Sequence, residues 1–338
     1  MTALKLLPPE AAHDLTISLL KTGLGPRVSD PPPDILRTEL AGLELPSPVG
    51  MAAGFDKNAE VPDALLRLGF GFVEVGAVTP RPQSGNPRPG VFRLHRERAI
   101  INRYGFNNDG LDVIARRLAA RVGRPGIVGI NLGANKDSAD RAGDYVAGLR
   151  ALEQHVSFLT VNVSSPNTEG LRDLQGRDAL ADLLARVLRA RTTSRPVFVK
   201  VAPDLRDNDV ADIASAALAA GVDGMIVSNT TLAREGLTGK HAAEAGGLSG
   251  RPLFERSTAV LRAFARETAG RLPLIGVGGV QSGADALTKI KAGASAVQLY
   301  TALVYEGPGL VGEILEDLAD RLAAEGFRSV AEAVGADN

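Results

Sequence analysis

The sequence predicts an α/β fold, a (β/α)8 barrel, on three observations. Eight short apolar runs recur along the 338 residues. Most are continuous rather than alternating, as in parallel strands buried on both faces. Segments of helical periodicity lie between them, and alternating βα units in this number indicate a closed barrel. A doubly wound open sheet is the alternative that the pattern leaves.

Residues 1–45 precede the first run. Residues 9–22 read as an amphipathic helix, with Ala12, Leu15, Thr16, Leu19 and Leu20 along one stripe. Asp30-Pro-Pro-Pro-Asp34 then leads into the barrel. The β-runs are 49–53, 72–78, 127–132, 159–163, 197–201, 225–228, 274–277 and 296–300. The clearest helical segments are 58–68, 111–120, 180–190, 207–220, 253–267, 283–292 and 310–324. Gly69, Gly123, Gly221 and Gly293 stop several of them. The long segment 79–125 begins irregular and Pro-rich, then reads as a hairpin of 91–94 and 99–102. A βα insertion of this length sits on the catalytic face of a barrel, where it would cover the site. The expected organisation is an N-terminal helical extension, 1–45, followed by the barrel, 46–338.

Composition narrows the function. Hydrophobic residues are 44% and charged residues 23%, which suits a soluble globular protein. A net charge of −1 offers no global attraction to nucleic acid or anionic membranes. Aromatics are 4% and Trp is absent, so base-stacking platforms are not expected. Without Cys there are no disulfides and no thiolate chemistry. His13, His95, His155 and His241 are scattered without metal-ligand spacing, so no metal is expected. The apolar run 3–7 ends at Pro8-Pro9, too short for a signal peptide. No apolar window of roughly 18 residues is present to span a bilayer.

Polar groups gather at the C-terminal ends of the runs, where barrel enzymes do their chemistry. Leu159-Thr-Val-Asn-Val-Ser-Ser-Pro-Asn-Thr168 starts apolar and ends in Asn162, Ser164, Ser165, Asn167 and Thr168. Taken alone it is equally an Asn/Ser/Pro turn. Ala52-Ala-Gly-Phe-Asp-Lys-Asn58 offers Gly54 for close backbone approach and Lys57 as a cation, or a plain turn with a solvated lysine. Asn102 closes an apolar strand, whereas Asn108 and Asp109 could simply cap a helix. Asn131 and Lys200 lie inside buried runs. A mid-strand lysine needs an anionic ligand or an internal partner, for which Glu74 is a candidate. Ser228-Asn-Thr-Thr231 closes the sixth run. Gly246-Gly-Leu-Ser-Gly250 reads as a loop, Gly276-Val-Gly-Gly279 follows the seventh run, and Tyr300-Thr301 the eighth. Loops after strands seven and eight form the usual phosphate site of such barrels. No carboxylate pair, Ser-His-Asp set or metal cluster is evident, so a phosphorylated cofactor is expected to carry the reaction.

Together MAAGFDKN, GAVTPRPQSGNPRPGVFRL, INRYGFNN, INLGANK, VNVSSPNT, VKVAPD, SNTT, GGLSGRPL, GVGG and QLYTAL resemble the class 2, quinone-linked dihydroorotate dehydrogenases, over residues 6 to 325. The resemblance implies an FMN-binding (β/α)8 barrel with a small helical N-terminal extension. It implies oxidation of dihydroorotate to orotate in pyrimidine biosynthesis, with a membrane quinone reoxidising the flavin. Class 1 relatives use a cysteine base and lack the extension. Here the matching position is Ser165.

By that resemblance Ser165 is the base that takes the C5 proton while hydride leaves C6 for the flavin. Lys57, Asn102, Asn162, Asn167, Asn229 and Thr230 match the residues that hold orotate, with Arg103, Tyr104, Gly105 and Phe106 as part of that wall. FMN contacts map to Ala53, Gly54, Lys57, Ala77, Asn131, Asn162, Lys200, Ser228, Gly250, Gly279, Tyr300 and Thr301. Ala77 departs from the pattern, since many relatives carry a hydroxyl there. His13 and Arg93 match positions near the quinone tunnel. The family implies a monomer, held peripherally on the cytoplasmic side of the membrane through the N-terminal helix. The alternatives are a class 1-like enzyme using fumarate or NAD, and a non-redox barrel that binds a phosphorylated ligand.

Overall fold

The computed structural model describes residues 6–23, 25–28 and 30–338. Ala3 to Lys5 of the apolar run at 3–7 thus lie outside the described residues. Eight parallel strands close a barrel. In chain order they are β3 (Val49–Met51), β4 (Phe72–Val78), β7 (Ile127–Leu132), β8 (Phe158–Asn162), β9 (Val197–Val201), β10 (Gly224–Val227), β12 (Leu274–Val277) and β13 (Ala294–Leu299). Each pairs with its chain neighbour, and β13 pairs with β3 to close the ring. The open-sheet alternative is thereby excluded. The residues of β4, β8, β9 and β10 are almost all buried, as continuous apolar runs require.

The barrel interior is layered. Phe72, Phe158 and Phe198 stand near the N-terminal ends of their strands, with Phe158 edge-on to each of the other two. Glycines on neighbouring strands leave room for the rings. A Cβ on Gly50, Gly129 or Gly224 would fall 2.2–2.4 Å from the ring of Phe72, Phe158 or Phe198. Strands β1 (Thr38–Leu40) and β2 (Leu43–Leu45) form a hairpin that the sequence reading did not contain. Its Leu40 and Leu45 pack on the three phenylalanines with Ile226, Ile275 and Ala296, closing the floor.

Eleven helices are described. Eight of them are α2 (Pro62–Leu66), α3 (Leu111–Ala119), α4 (Arg141–Leu152), α5 (Arg177–Ala190), α6 (Asp207–Ala220), α7 (Phe254–Thr268), α8 (Gly283–Lys291) and α10 (Leu310–Ala324), with the short α9 (Thr301–Glu306) and α11 (Val330–Ala333) near the end. The helix expected over 58–68 is shorter. The buried Asp56 carboxylate accepts the N–H groups of Glu60 and Val61 at 2.8 Å and holds that stretch as a turn until Pro62.

The N-terminal helix α1 (Pro9–Lys21) is present but divides its expected stripe. Ala12, Ile17 and Leu20 are buried against the barrel, while Leu15 and Leu19 remain 42% and 49% exposed. On the catalytic face β5 (Val91–Leu94) and β6 (Ala99–Asn102) form the expected hairpin. Residues 246–250, read as a loop, instead supply β11 (Gly247–Gly250), which pairs antiparallel with β6. The result is a three-stranded sheet over the barrel mouth.

Candidate active site

A cleft of about 1360 Å³ opens at the C-terminal ends of the strands, beneath the three-stranded sheet. Its lining includes Ser165 and every residue expected to contact substrate or cofactor except Arg103. The Arg103 guanidinium turns away, pairs with Glu244 at 2.9 Å and covers the Phe92 ring at 4.6 Å. Its neighbours Asn102, Tyr104, Gly105 and Phe106 all reach the cleft.

Glu74 organises the barrel centre. It is fully buried on β4 and accepts from Asn131 Nδ2 at 2.7 Å and Gln298 Nε2 at 2.9 Å. Lys200 Nζ lies 3.7 Å away, so the internal partner foreseen for this lysine exists. A buried cation and anion compensate one another's lost hydration. Lys200 still lines the cleft, so the ion pair and a ligand role coexist. Gln298 was not foreseen, although a Gln inside an apolar run was the signal. Among the described residues its Oε1, buried in the wall, has no hydrogen-bond partner, which leaves an acceptor for a ligand N–H.

From this centre a chain of amides runs outward. Asn162 Nδ2 donates to Asn131 Oδ1 at 2.8 Å. Asn162 Oδ1 accepts from Ser164 Oγ at 2.9 Å, and Asn229 Nδ2 donates to Ser164 Oγ at 3.0 Å. Asn167 Nδ2 donates to Asn102 Oδ1 at 3.2 Å, tying the β8 loop to the covering sheet. The buried Tyr145 hydroxyl on α4 donates to the Asn162 carbonyl at 2.7 Å. Arg172 locks two loops together, donating to the carbonyls of Ser164 (3.0 Å) and Thr230 (2.9 Å) while pairing with Asp204 at 2.9 Å. Neither Arg172 nor Tyr145 was singled out from sequence.

Ser165 is 6% exposed, and its Oγ accepts from the Asn167 N–H at 3.3 Å. Among the described residues no carboxylate or imidazole hydrogen-bonds to it. Lys57 faces the cleft with its Nζ 4.1 Å from the centre of the Tyr104 ring. Burial pulls its pKa down to about 8, against the attraction of Asp14, Asp56 and Glu10. His13 Nε2 lies 3.5 Å from Lys57 Nζ, and burial, then the Lys57 charge, lowers the His13 pKa to about 3. A neutral His13 accepts from the ammonium. His13 meets Phe55 edge-on, and Phe55 meets Tyr300 in the same way. Thus α1 reaches the edge of the cleft. Arg93 lies outside the lining, with its guanidinium donating to the Leu7 carbonyl at 2.8 Å.

Glycine backbone forms part of the remaining wall. Gly250, Gly278 and Gly279 adopt φ of +97°, +116° and +77°, where a side chain would be strained. A Cβ on Gly279 would also sit 2.6 Å from Phe254. The cleft's amides, orphan acceptor and central cation suit a large heterocycle that offers both N–H and carbonyl groups.

A family model described as dihydroorotate dehydrogenase matches residues 35–322. A dihydroorotate dehydrogenase (quinone) from Parvibaculum lavamentivorans is 59% identical over 99% of this chain and 96% of the relative. One from Cereibacter sphaeroides is 58% identical over 99% and 96%. The crystal structure of DHODH from Eimeria tenella in complex with ferulenol superposes with a TM-score of 0.95 at 40% identity, covering 98% of this chain and 96% of that one. Its ligand-free counterpart gives a TM-score of 0.94 at 41% identity, over 98% and 99%. The fold thus recurs in relatives of one activity, and the chain belongs to the quinone-dependent class of the dihydroorotate dehydrogenase family, flavin-dependent enzymes that oxidise dihydroorotate to orotate in pyrimidine biosynthesis.

Proposed function

We propose that the flavin is FMN and that Ser165 is the base of the oxidation. The observation that carries the reading is the convergence of Ser165, Lys57 and the linked amides of Asn102, Asn162, Asn167 and Asn229 on one cleft. Lys57 meets the substrate carboxylate, and the amides with Thr230 orient the ring. Ala53, Gly54, Asn131, Lys200, Ser228, Gly250, Gly279, Tyr300 and Thr301 hold the cofactor, with Ala77 contributing backbone alone. Bound FMN supplies the hydride acceptor that no side chain here offers. Ser165 Oγ would take the C5 proton as its own hydroxyl proton passes through a hydrogen-bonded relay to solvent, in a pocket covered by the inserted sheet. The Asn167 N–H stabilises alkoxide character on Oγ during that exchange, and the covering sheet limits access of bulk water.

The extension 1–45 serves quinone entry on this reading. Leu15 and Leu19 leave an apolar strip on α1 exposed, and His13 on the same helix reaches Lys57 and Phe55. The strip suits a peripheral seat on the cytoplasmic side of the membrane. No helix among the described residues is long and apolar enough to cross a membrane. The enzyme is proposed to act as a monomer.

The test is anaerobic. Dihydroorotate should bleach the flavin band, and a quinone, not NAD or fumarate, should restore it. Ser165→Ala should keep FMN yet slow bleaching by roughly 10²–10⁴-fold. Near-normal bleaching in the variant would remove Ser165 from the role, and recovery by NAD or fumarate alone would favour the class 1-like reading.

A further inference from the structure

We propose that Lys289 is a buried counter-charge for the cofactor phosphate, acting from behind the Gly278-Gly279 loop. The proposal rests on the FMN reading above.

Lys289 lies on α8 and is fully buried. Its Nζ donates to Ser257 Oγ at 2.9 Å and Thr258 Oγ1 at 3.0 Å, both on the first turns of α7. It also sits 5.0 Å from the centre of the Phe254 ring. Among the described residues no carboxylate comes within 4.0 Å of it. The two hydroxyls do not need the lysine as a partner for their own hydrogens. Thr258 donates to the Phe254 carbonyl at 2.7 Å, and Ser257 has the carbonyls of Phe254 and Gly278 at 3.0 and 3.1 Å. A fully buried ammonium without an anion is costly, and the fold by itself does not compensate it.

The compensation lies on the other side of α7. One hydroxyl, Ser257 Oγ, separates Lys289 Nζ from the Gly278 carbonyl, and Gly278 and Gly279 line the cleft. Gly279 packs so closely on the start of α7 that an added Cβ would lie 2.8 Å from the Phe254 nitrogen. Glycine loop, first turn of α7 and lysine therefore form three successive layers. A phosphate dianion on the loop faces a cation held in low-dielectric surroundings, where attraction acts across several ångströms without contact. Burial lowers the Lys289 pKa to about 7 against the pull of Asp285 and Glu255, so the arriving anion also favours the charged form.

Full-length protein, Lys289→Met and Lys289→Gln would each be stripped of flavin and titrated with FMN and with riboflavin, following flavin fluorescence. Met matches the aliphatic stem, and Gln keeps a donor for the hydroxyls without the charge. Both variants should bind FMN roughly 10- to 100-fold more weakly, with riboflavin affinity unchanged within about threefold. Equal losses for the two ligands would mean that Lys289 only supports the fold, and unchanged FMN affinity would also overturn the proposal. Wild-type protein that prefers FMN no more than riboflavin would instead remove the phosphate reading on which it rests.

Discussion

At the scale of single residues, the cleft separates groups that must stay charged from groups that must stay neutral. Lys57 can pair with a carboxylate only as an ammonium, yet burial brings its pKa down to about 8. We expect kcat/KM for dihydroorotate to be level below that pH and to fall above it, since this parameter reports ionisation of the free enzyme. In Lys57→Met the value should be low throughout and the alkaline limb absent; a limb that survives in the variant would assign it elsewhere. The same shift has an opposite sign for stability. Between about 8 and the usual 10.5 the folded protein binds fewer protons at Lys57 than the unfolded chain does. Stability from this residue therefore rises with pH across that window, and the burial cost is complete below it. The residue scale was also the most legible in the sequence. Asn131, Lys200 and Ser165 each interrupt an apolar pattern, and all three reach the cleft. Arg103 had a suggestive neighbourhood only, because its guanidinium is held away from the cleft by Glu244 and the Phe92 ring.

At the scale of elements, what escaped the sequence was structure fixed by distant partners. α4 carries glycine at a buried position, where Gly148 lets the helix approach Leu132, so its apolar stripe is too thin to read. The β1–β2 hairpin turns through Ala41 and Gly42, both at positive φ, without the Asn-Gly or Asp-Gly signature of such turns. β11 is Gly-Leu-Ser-Gly and owes its strand form to β6. Arg172 also belongs to this scale, since it ties the loops after β8 and β10 beside Ser165 and Asn229. Arg172→Met should raise KM for dihydroorotate roughly tenfold or more, in keeping with about 1.5–3 kcal/mol for a charge-assisted hydrogen bond. FMN affinity should be kept. Loss of both affinities together would identify a general collapse of the face instead.

For the whole molecule, the barrel divides its labour along its axis. The floor is apolar and tightly interlocked, whereas the mouth carries the amides, lysines and glycine loops. Gly129→Ala drives a methyl to within 2.2 Å of Phe158. It should cost about 1–3 kcal/mol in denaturant unfolding, as overpacking does, with kcat unchanged in the folded fraction. A fall in kcat at full folding would show that the floor and the mouth are coupled. The sealed floor has a kinetic consequence as well. With Leu40 and Leu45 stopping one end, the cleft opens at the mouth of the barrel. On the proposed reading dihydroorotate and quinone both reach the flavin from that side, and electrons taken from one wait on the flavin until the other arrives. Steady-state rates at varied dihydroorotate and quinone should then trace parallel lines in double-reciprocal form, the record of a chamber that is charged and discharged in turn.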